Sequence, residues 1–192
     1  MPRSFQTKKK KSSIPKKNKG KHQIDGKIFS TKGAKDLYGI LLAHKKSGLI
    51  HQFELPEVGE ETKNKFGSKK CIINDIKFDS MLEGRFFLHL LTMQQQNNIS
   101  CIVTHPKYQL QKSFKKYDKT IRAIDYFADF EVEFCDGTKV IYDTKGRETA
   151  DFKIKRKMFD YKYPDLTLIC VKQIRGVWVN KDTEEELPFA CN

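Results

Sequence analysis

Hydrophobic residues recur along this chain with two periods, one helical and one of strands. Over residues 31–45 (TKGAKDLYGILLAHK), Leu37, Tyr38, Leu41 and Leu42 fall at helical spacing, which predicts a helix followed, after Gly48, by a short strand LIHQFEL. Residues 79–96 predict the strongest helix, with Leu82, Phe86, Phe87, Leu90 and Met93 on one face and Asp79 or Ser80 as N-cap. Strands are predicted at 100–104 and 107–111, then a basic loop SFKKYDKTIR. Two further strands, YFADFEVEF and KVIYDTK, flank the turn signal Asp136-Gly137. A helix over about 150–162, with Ile154, Met158 and Tyr161 inward, ends before Pro164 and the buried strand LTLICVK. The order helix, β-meander, helix, strand predicts an α/β fold, a mixed β-sheet flanked by helices.

The first part of the pattern recurs. Ile73, Phe78, Phe86, Phe87, Leu90 and Leu91 lie 49 positions after Ile24, Phe29, Leu37, Tyr38, Leu41 and Leu42, with Ser80 opposite Thr31. A degenerate internal duplication accounts for this; so does the ease with which two amphipathic helices slide into register. In the alignment Ala34 stands where the second copy has Glu83.

Charge is uneven. The chain carries 37 Lys and Arg against 24 Asp and Glu, a net +13, of which residues 1–24 hold +9 through Arg3, Lys8, Lys9, Lys10, Lys11, Lys16, Lys17, Lys19 and Lys21, with no acid. This stretch is expected to be a disordered basic tail that meets a polyanion, nucleic acid ahead of a membrane because it has no apolar face; a solubilising tail is the plainer reading. Five widely spaced cysteines with no CxxC pair point away from a disulfide framework and from structural zinc, and so to a reducing cytoplasm. No apolar run approaches the roughly 18–20 residues of a bilayer span, and no apolar stretch follows the basic start as a secretory signal would require. The expected organisation is the tail, a small helix–strand segment at 25–57, a polar Pro- and Gly-containing linker at 58–70, a core at 71–175 and a C-terminal extension at 176–192.

Strand parity concentrates the chemistry. In 139–145, period two sets Asp143 and Lys145 on one face and Val140, Tyr142 and Thr144 on the other; in the preceding strand Asp129 lies opposite in sense to Ala128, Phe130, Val132 and Phe134. Matching the apolar faces requires directly opposed residues whose numbers sum to an even value, such as 272 or 274, and the same parity brings Asp129 across from Asp143 or Lys145. It also requires an odd loop, such as Cys135-Asp136-Gly137 with Gly left-handed, in place of a two-residue turn. Two close carboxylates repel unless a cation fills the gap, and hard oxygen donors favour Mg²⁺ or Mn²⁺. With Lys145 beside them, Asp129 and Asp143 outline a phosphodiester-hydrolysing site expected in one pocket at the sheet edge; an exposed sheet face with an Asp143–Lys145 salt bridge is the alternative. Glu83 flanks the buried stripe of its helix, either as the acid of a Ser80-x-x-Glu83 capping box reaching the Ser80 amide or as a third carboxylate of the site.

FDSMLEGRFFLHLL, RAIDYFADFEV, DGTKVIYDTKG and the basic helix FKIKRKMFDYKYP, in this order, resemble the phage endonuclease I-like branch of the PD-(D/E)xK nuclease superfamily, which is Holliday-junction-resolvase-like. The resemblance covers residues 72–170. It implies a restriction-endonuclease-like core, Glu83, Asp129 and Asp143 as acidic metal-site residues and Lys145 as the motif lysine. It further implies a Mg²⁺-dependent homodimeric DNA endonuclease that leaves 5′-phosphate and 3′-hydroxyl ends, with branched DNA as substrate. Ala128 in place of Pro and Asp143 in place of Glu depart from the commoner pattern. Lys153, Arg156 and Lys157 of the trailing helix, and Lys115 and Lys116 of the basic loop, are candidate phosphate contacts. The rival function is a noncatalytic, basic nucleic-acid-binding protein on a nuclease-like scaffold.

Overall fold

The computed structural model describes residues 22–29, 31–56, 69–144 and 148–187. A hairpin of β1 (Gln23–Ile24) and β2 (Lys27–Ile28) leads into α1 (Lys32–Lys46) and β3 (Phe53–Glu54). A second hairpin, β4 (Cys71–Ile73) and β5 (Ile76–Phe78), leads into α2 (Met81–Gln95) and β6 (Ile99–Thr104). Then come β7 (Lys107–Gln111), β8 (Phe114–Lys116), β9 (Lys119–Ile121), β10 (Ile124–Phe127), β11 (Phe130–Phe134), β12 (Lys139–Thr144), α3 (Ala150–Lys162), β13 (Thr167–Ile174) and β14 (Val177–Asn180). The architecture is mixed α/β. Its main sheet has the order β14-β13-β12-β11-β6, with β12 and β13 parallel across the α3 crossover and the other pairs antiparallel.

The 49-residue repeat is realised in the backbone. Helices α1 and α2 have 15 residues each and are offset by 49 at both ends. Each follows a two-residue turn with left-handed backbone, Asp25-Gly26 and Asn74-Asp75. Thr31 Oγ1 accepts from Ala34 N at 3.2 Å, and Ser80 Oγ accepts from Glu83 N at 3.1 Å. The C-terminal bonds match too: Ser47 N to Ala43 O and Gln96 N to Thr92 O, Leu49 N to His44 O and Asn98 N to Met93 O. The agreement extends from the apolar stripes to the turns and both caps, so the repeat is a structural one, a hairpin–helix unit that occurs twice.

The first unit is built into the core. Leu37, Leu41 and Ile50 belong to the same buried cluster as Phe78, Phe86, Leu90, Phe130, Tyr142 and Trp178, and β3 pairs with β4. On the opposite face of the main sheet, α3 and the β7–β10 ladder enclose Tyr108, Tyr126, Ile141, Phe152, Phe159 and Cys170.

Several expected elements shift. The strand LIHQFEL contracts to Phe53–Glu54. The run 126–134 divides at Ala128-Asp129, because Ala128 N donates to Pro106 O and His105 N donates to Asp129 O, ending one ladder and starting another. The basic loop is instead the hairpin β8–β9. The inward stripe of α3 is Phe152 and Phe159, two turns apart, whose rings complete an aromatic cluster with Tyr108 and Tyr126; Ile154 and Tyr161, expected inside, are 62% and 91% exposed. The first hairpin begins inside the expected tail, and β14 joins the main sheet from within the expected C-terminal extension. Lys8, Lys9, Lys10, Lys11, Lys145, the linker residues 57–68 and residues 188–192 lie outside the described residues. No described helix is long and apolar enough to cross a membrane.

Candidate active site

Register sets the site. Phe130 pairs with Tyr142 and Val132 with Val140, so opposed numbers sum to 272 and Asp129 falls across from Asp143, as parity requires. The loop between the strands is Cys135-Asp136-Gly137, closed by Gly137 N donating to Phe134 O at 2.9 Å, with Gly137 at φ +85°. A residue with a side chain would be strained in that conformation, which is why the loop carries glycine there.

Both aspartates are held by named groups. Asp143 is 0% exposed at the C-terminal end of β12, and the Tyr126 hydroxyl donates to its Oδ2. Burial, together with the negative charges of Asp143 and Asp129, pushes the Tyr126 hydroxyl far above its ordinary pKa, so it remains a donor. Asp129 Oδ2 accepts from Thr144 N at 2.6 Å and from Thr144 Oγ1 at 2.7 Å, tying it to the residue after Asp143. Tyr108 and Tyr126 are direct cross-strand partners, and Tyr108 likewise donates to Glu131 on the same sheet face. The β7–β10 ladder thus presents two hydroxyls to two carboxylates. Asp143 lies on the central strand β12 and Asp129 immediately precedes its neighbour β11, so the pair is inside the sheet, not at the sheet edge where the pocket was expected. The mouth of a cleft of about 550 Å³ lined by Asp36, His44, Arg85, His89 and Trp178 lies elsewhere and includes neither aspartate.

Glu83 is 8% exposed in the first turn of α2. Its Oε2 accepts from Asp79 N at 3.0 Å, one residue earlier than the Ser80 amide of the expected capping box. Burial raises its pKa, partly opposed by the Ser80 and Asp79 hydrogen bonds, while nearby Asp79 adds to the rise and His105 lowers it. His105, left-handed at φ +53°, connects this acid to the aspartates, since its amide holds the Asp129 carbonyl. The close approach of α2 to β4 depends on Gly84, where a Cβ would stand 2.6 Å from Cys71 Sγ. Among the described residues no three His, Cys, Asp or Glu side chains are gathered closely enough to hold a metal ion; Asp129 and Asp143 converge, and Glu83 stands off in its cap.

The repeated unit supplies an internal control on Glu83. With Ala34 in the corresponding place, α1 keeps the same length and the same N-cap bond. A buried acid is therefore not needed to build this helix.

Of the candidate phosphate contacts, Arg156 pairs with Asp182, while Lys153 and Lys157 lie on the exposed face of α3 and Lys115 and Lys116 on the β8 strand. Sequence reading missed Tyr126, Thr144 and His105. Tyr126 reads as an apolar core residue, and its hydroxyl finds a partner only once the β7–β10 ladder is laid over the main sheet; His105-Pro106 does mark a turn. No curated protein and no solved structure matches the chain. Residues 63–177 match the family described as a protein of unknown function (DUF1064), and over that share of its length the chain belongs to this family.

Proposed function

We propose that the chain is a Mg²⁺-dependent DNA endonuclease with a restriction-endonuclease-like core of the PD-(D/E)xK type, acting as a homodimer on branched DNA such as Holliday junctions. The observation that carries the reading is the pairing of Asp129 with a fully buried Asp143 at the end of the central strand. Setting the half-buried Asp129 carboxylate beside the buried Asp143 costs stability unless a cation offsets the like charges. The hard oxygen donors suit Mg²⁺ or Mn²⁺, which Asp129 and Asp143 would hold; Glu83, which stands apart from them in its cap, is the further carboxylate that the family resemblance assigns. Such an ion, when bound, polarises a phosphodiester and acidifies a water.

The chain's own groups do the rest. Tyr126 fixes one oxygen of Asp143, Thr144 fixes one oxygen of Asp129, and both restrict the carboxylates to orientations set before substrate arrives. Lys145, two positions after Asp143 in sequence, is assigned by the D-x-K spacing to steady the charge that develops on the phosphate. Lys153 and Lys157 contact the duplex backbone and position it.

The test is an assay with labelled junction, duplex and single-stranded DNA, with and without Mg²⁺. Cleavage of the junction that needs Mg²⁺, and its loss in Asp129→Asn and in Asp143→Asn with binding intact or tighter, is the expected result. Binding with no cleavage in Mg²⁺ or Mn²⁺ would instead identify a noncatalytic nucleic-acid-binding protein.

A further inference from the structure

The β7–β10 ladder, which brings Tyr126 to Asp143, leads outward into a ribbon whose distal half is the β8–β9 hairpin. The paired numbers step from 234 (Tyr126↔Tyr108, Asp125↔Gln109) to 235 (Ile124↔Gln111) across an irregularity at Ile124/Asp125, and the separate β8–β9 hairpin keeps the sum of 235 at Phe114↔Ile121, Lys115↔Thr120 and Lys116↔Lys119. Tyr117 at the tip lies nine positions from Tyr126, on Asp143, a reach of at most about 30 Å at roughly 3.3 Å per residue.

The distal half of this ribbon is poorly designed for its own stability. Residues 112–122 are all exposed, and a lone two-stranded hairpin is marginal in water. Lys116 and Lys119 are direct cross-strand partners, a like-charge pair that opposes the hairpin. Both turn residues, Tyr117 at φ +48° and Asp118 at φ +58°, are left-handed, a conformation that suits Asn-Gly and strains a bulky tyrosine. Lys112, Lys115, Lys116, Lys119 and Arg122 face one acid, Asp118, and none of the five forms an ion pair with a described residue. Tyr117 is 86% exposed, with Lys116 Nζ 5.5 Å from its ring centre.

A polyanion would relieve the lysine repulsion, and a base face would cover the tyrosine. We propose that β8–β9 is a DNA-engaging finger: its cations follow the phosphate backbone, and Tyr117 stacks on the exposed face of an unstacked base. Resting on the nuclease reading, this names the recognised feature as DNA with unstacked bases, as at a branch. Fully paired duplex buries its base faces and offers Tyr117 nothing.

The test measures equilibrium binding of the full chain, in EDTA, to junction, duplex and single-stranded DNA across salt concentrations. Replacing Lys115, Lys116 and Lys119 together by Ala should reduce the slope of log affinity against log salt by about 2–3 on every substrate, near 0.9 per lost phosphate contact. Tyr117→Ala should weaken junction and single-strand binding by about tenfold or more and leave duplex binding within about twofold, while Tyr117→Phe behaves as the parent. Because these side chains are exposed, the variants should melt with the parent. An unchanged salt slope, or a Tyr117→Ala loss equal on duplex and junction, overturns the proposal. Measuring cleavage separately in Mg²⁺ keeps the two readings apart. Finger-dependent binding without cleavage removes the nuclease and leaves the finger, cleavage with finger-independent binding does the reverse, and a parent chain that binds no DNA overturns both.

Discussion

Burial raises the pKa of Glu83, and the sign of that shift predicts how the residue behaves when its charge is removed. A carboxyl whose folded-state pKa lies above its unfolded value contributes stability that is fully present below the unfolded pKa and is lost as pH rises through the folded one. At neutral and alkaline pH the charged Glu83 therefore works against the fold. Glu83→Gln keeps an oxygen to accept from Asp79 N, so the variant should melt at or above the parent at pH 8, with the advantage vanishing by about pH 4. On the nuclease reading the same variant should lose cleavage. A variant that melts below the parent at pH 8, or that cleaves normally at limiting Mg²⁺, would make the residue a helix cap and nothing more. Of the candidate site, the sequence singled out Asp129, Asp143 and Glu83 because carboxylates on a strand or beside an apolar stripe are conspicuous, and the structure sets the two aspartates across adjacent strands while Glu83 stays in its cap. It hid Tyr126 and Thr144, whose roles depend on hydroxyls that an apolar or β-forming residue type does not advertise.

Among the elements, α2 owes its placement to Gly84. An added methyl would meet Cys71 Sγ at 2.6 Å and Ile73 Cδ1 at 3.3 Å. Overpacking of this kind costs about 1–3 kcal/mol, against a gain of about 1 kcal/mol in helix propensity on replacing Gly. Thermal or denaturant melts of Gly84→Ala should show net destabilisation of up to about 2 kcal/mol. In a Cys71→Ala background, where the sulfur is gone, the same substitution should turn neutral or stabilising; the same loss in both backgrounds would place the strain elsewhere. Helix limits were readable because cap residues mark them: α1 and α3 lie within a residue of their expected bounds. The β8–β9 hairpin was not, since Tyr-Asp is not the Asn-Gly or Asp-Gly pair that announces a two-residue turn. The face of α3 was misjudged because 3.6-residue periodicity offered two stripes, and the choice fell to aromatic rings on the distant β7–β10 ladder.

For the molecule as a whole, the first hairpin–helix unit shares its core with the main sheet. Leu41 is fully buried in a cluster that reaches Phe130 and Trp178. Leu41→Ala should therefore lower the stability of the entire chain by about 2–5 kcal/mol, with helical and tryptophan signals lost in one transition. A separate early transition that left Trp178 undisturbed would show the unit to be an independent appendage. Parity of hydrophobic positions foretold the β11–β12 register because one slipped residue would turn every apolar side chain to the wrong face. Nothing so local announced that the 25–57 segment would join the core, which depends on contacts between residues some fifty positions apart.

The 49-residue repeat also makes the chain its own donor for transplants. Each position of α2 has a counterpart on α1 in the same turn of a helix of the same length, and the pairs Phe86 and Leu37, Leu90 and Leu41, Glu83 and Ala34 record identities that one backbone has accepted in two settings. Grafting single residues from the first unit into the second separates what the helix requires from what its surroundings require. Changes that leave melting untouched while abolishing an activity mark the positions where the second unit carries a specialised task that the first does not.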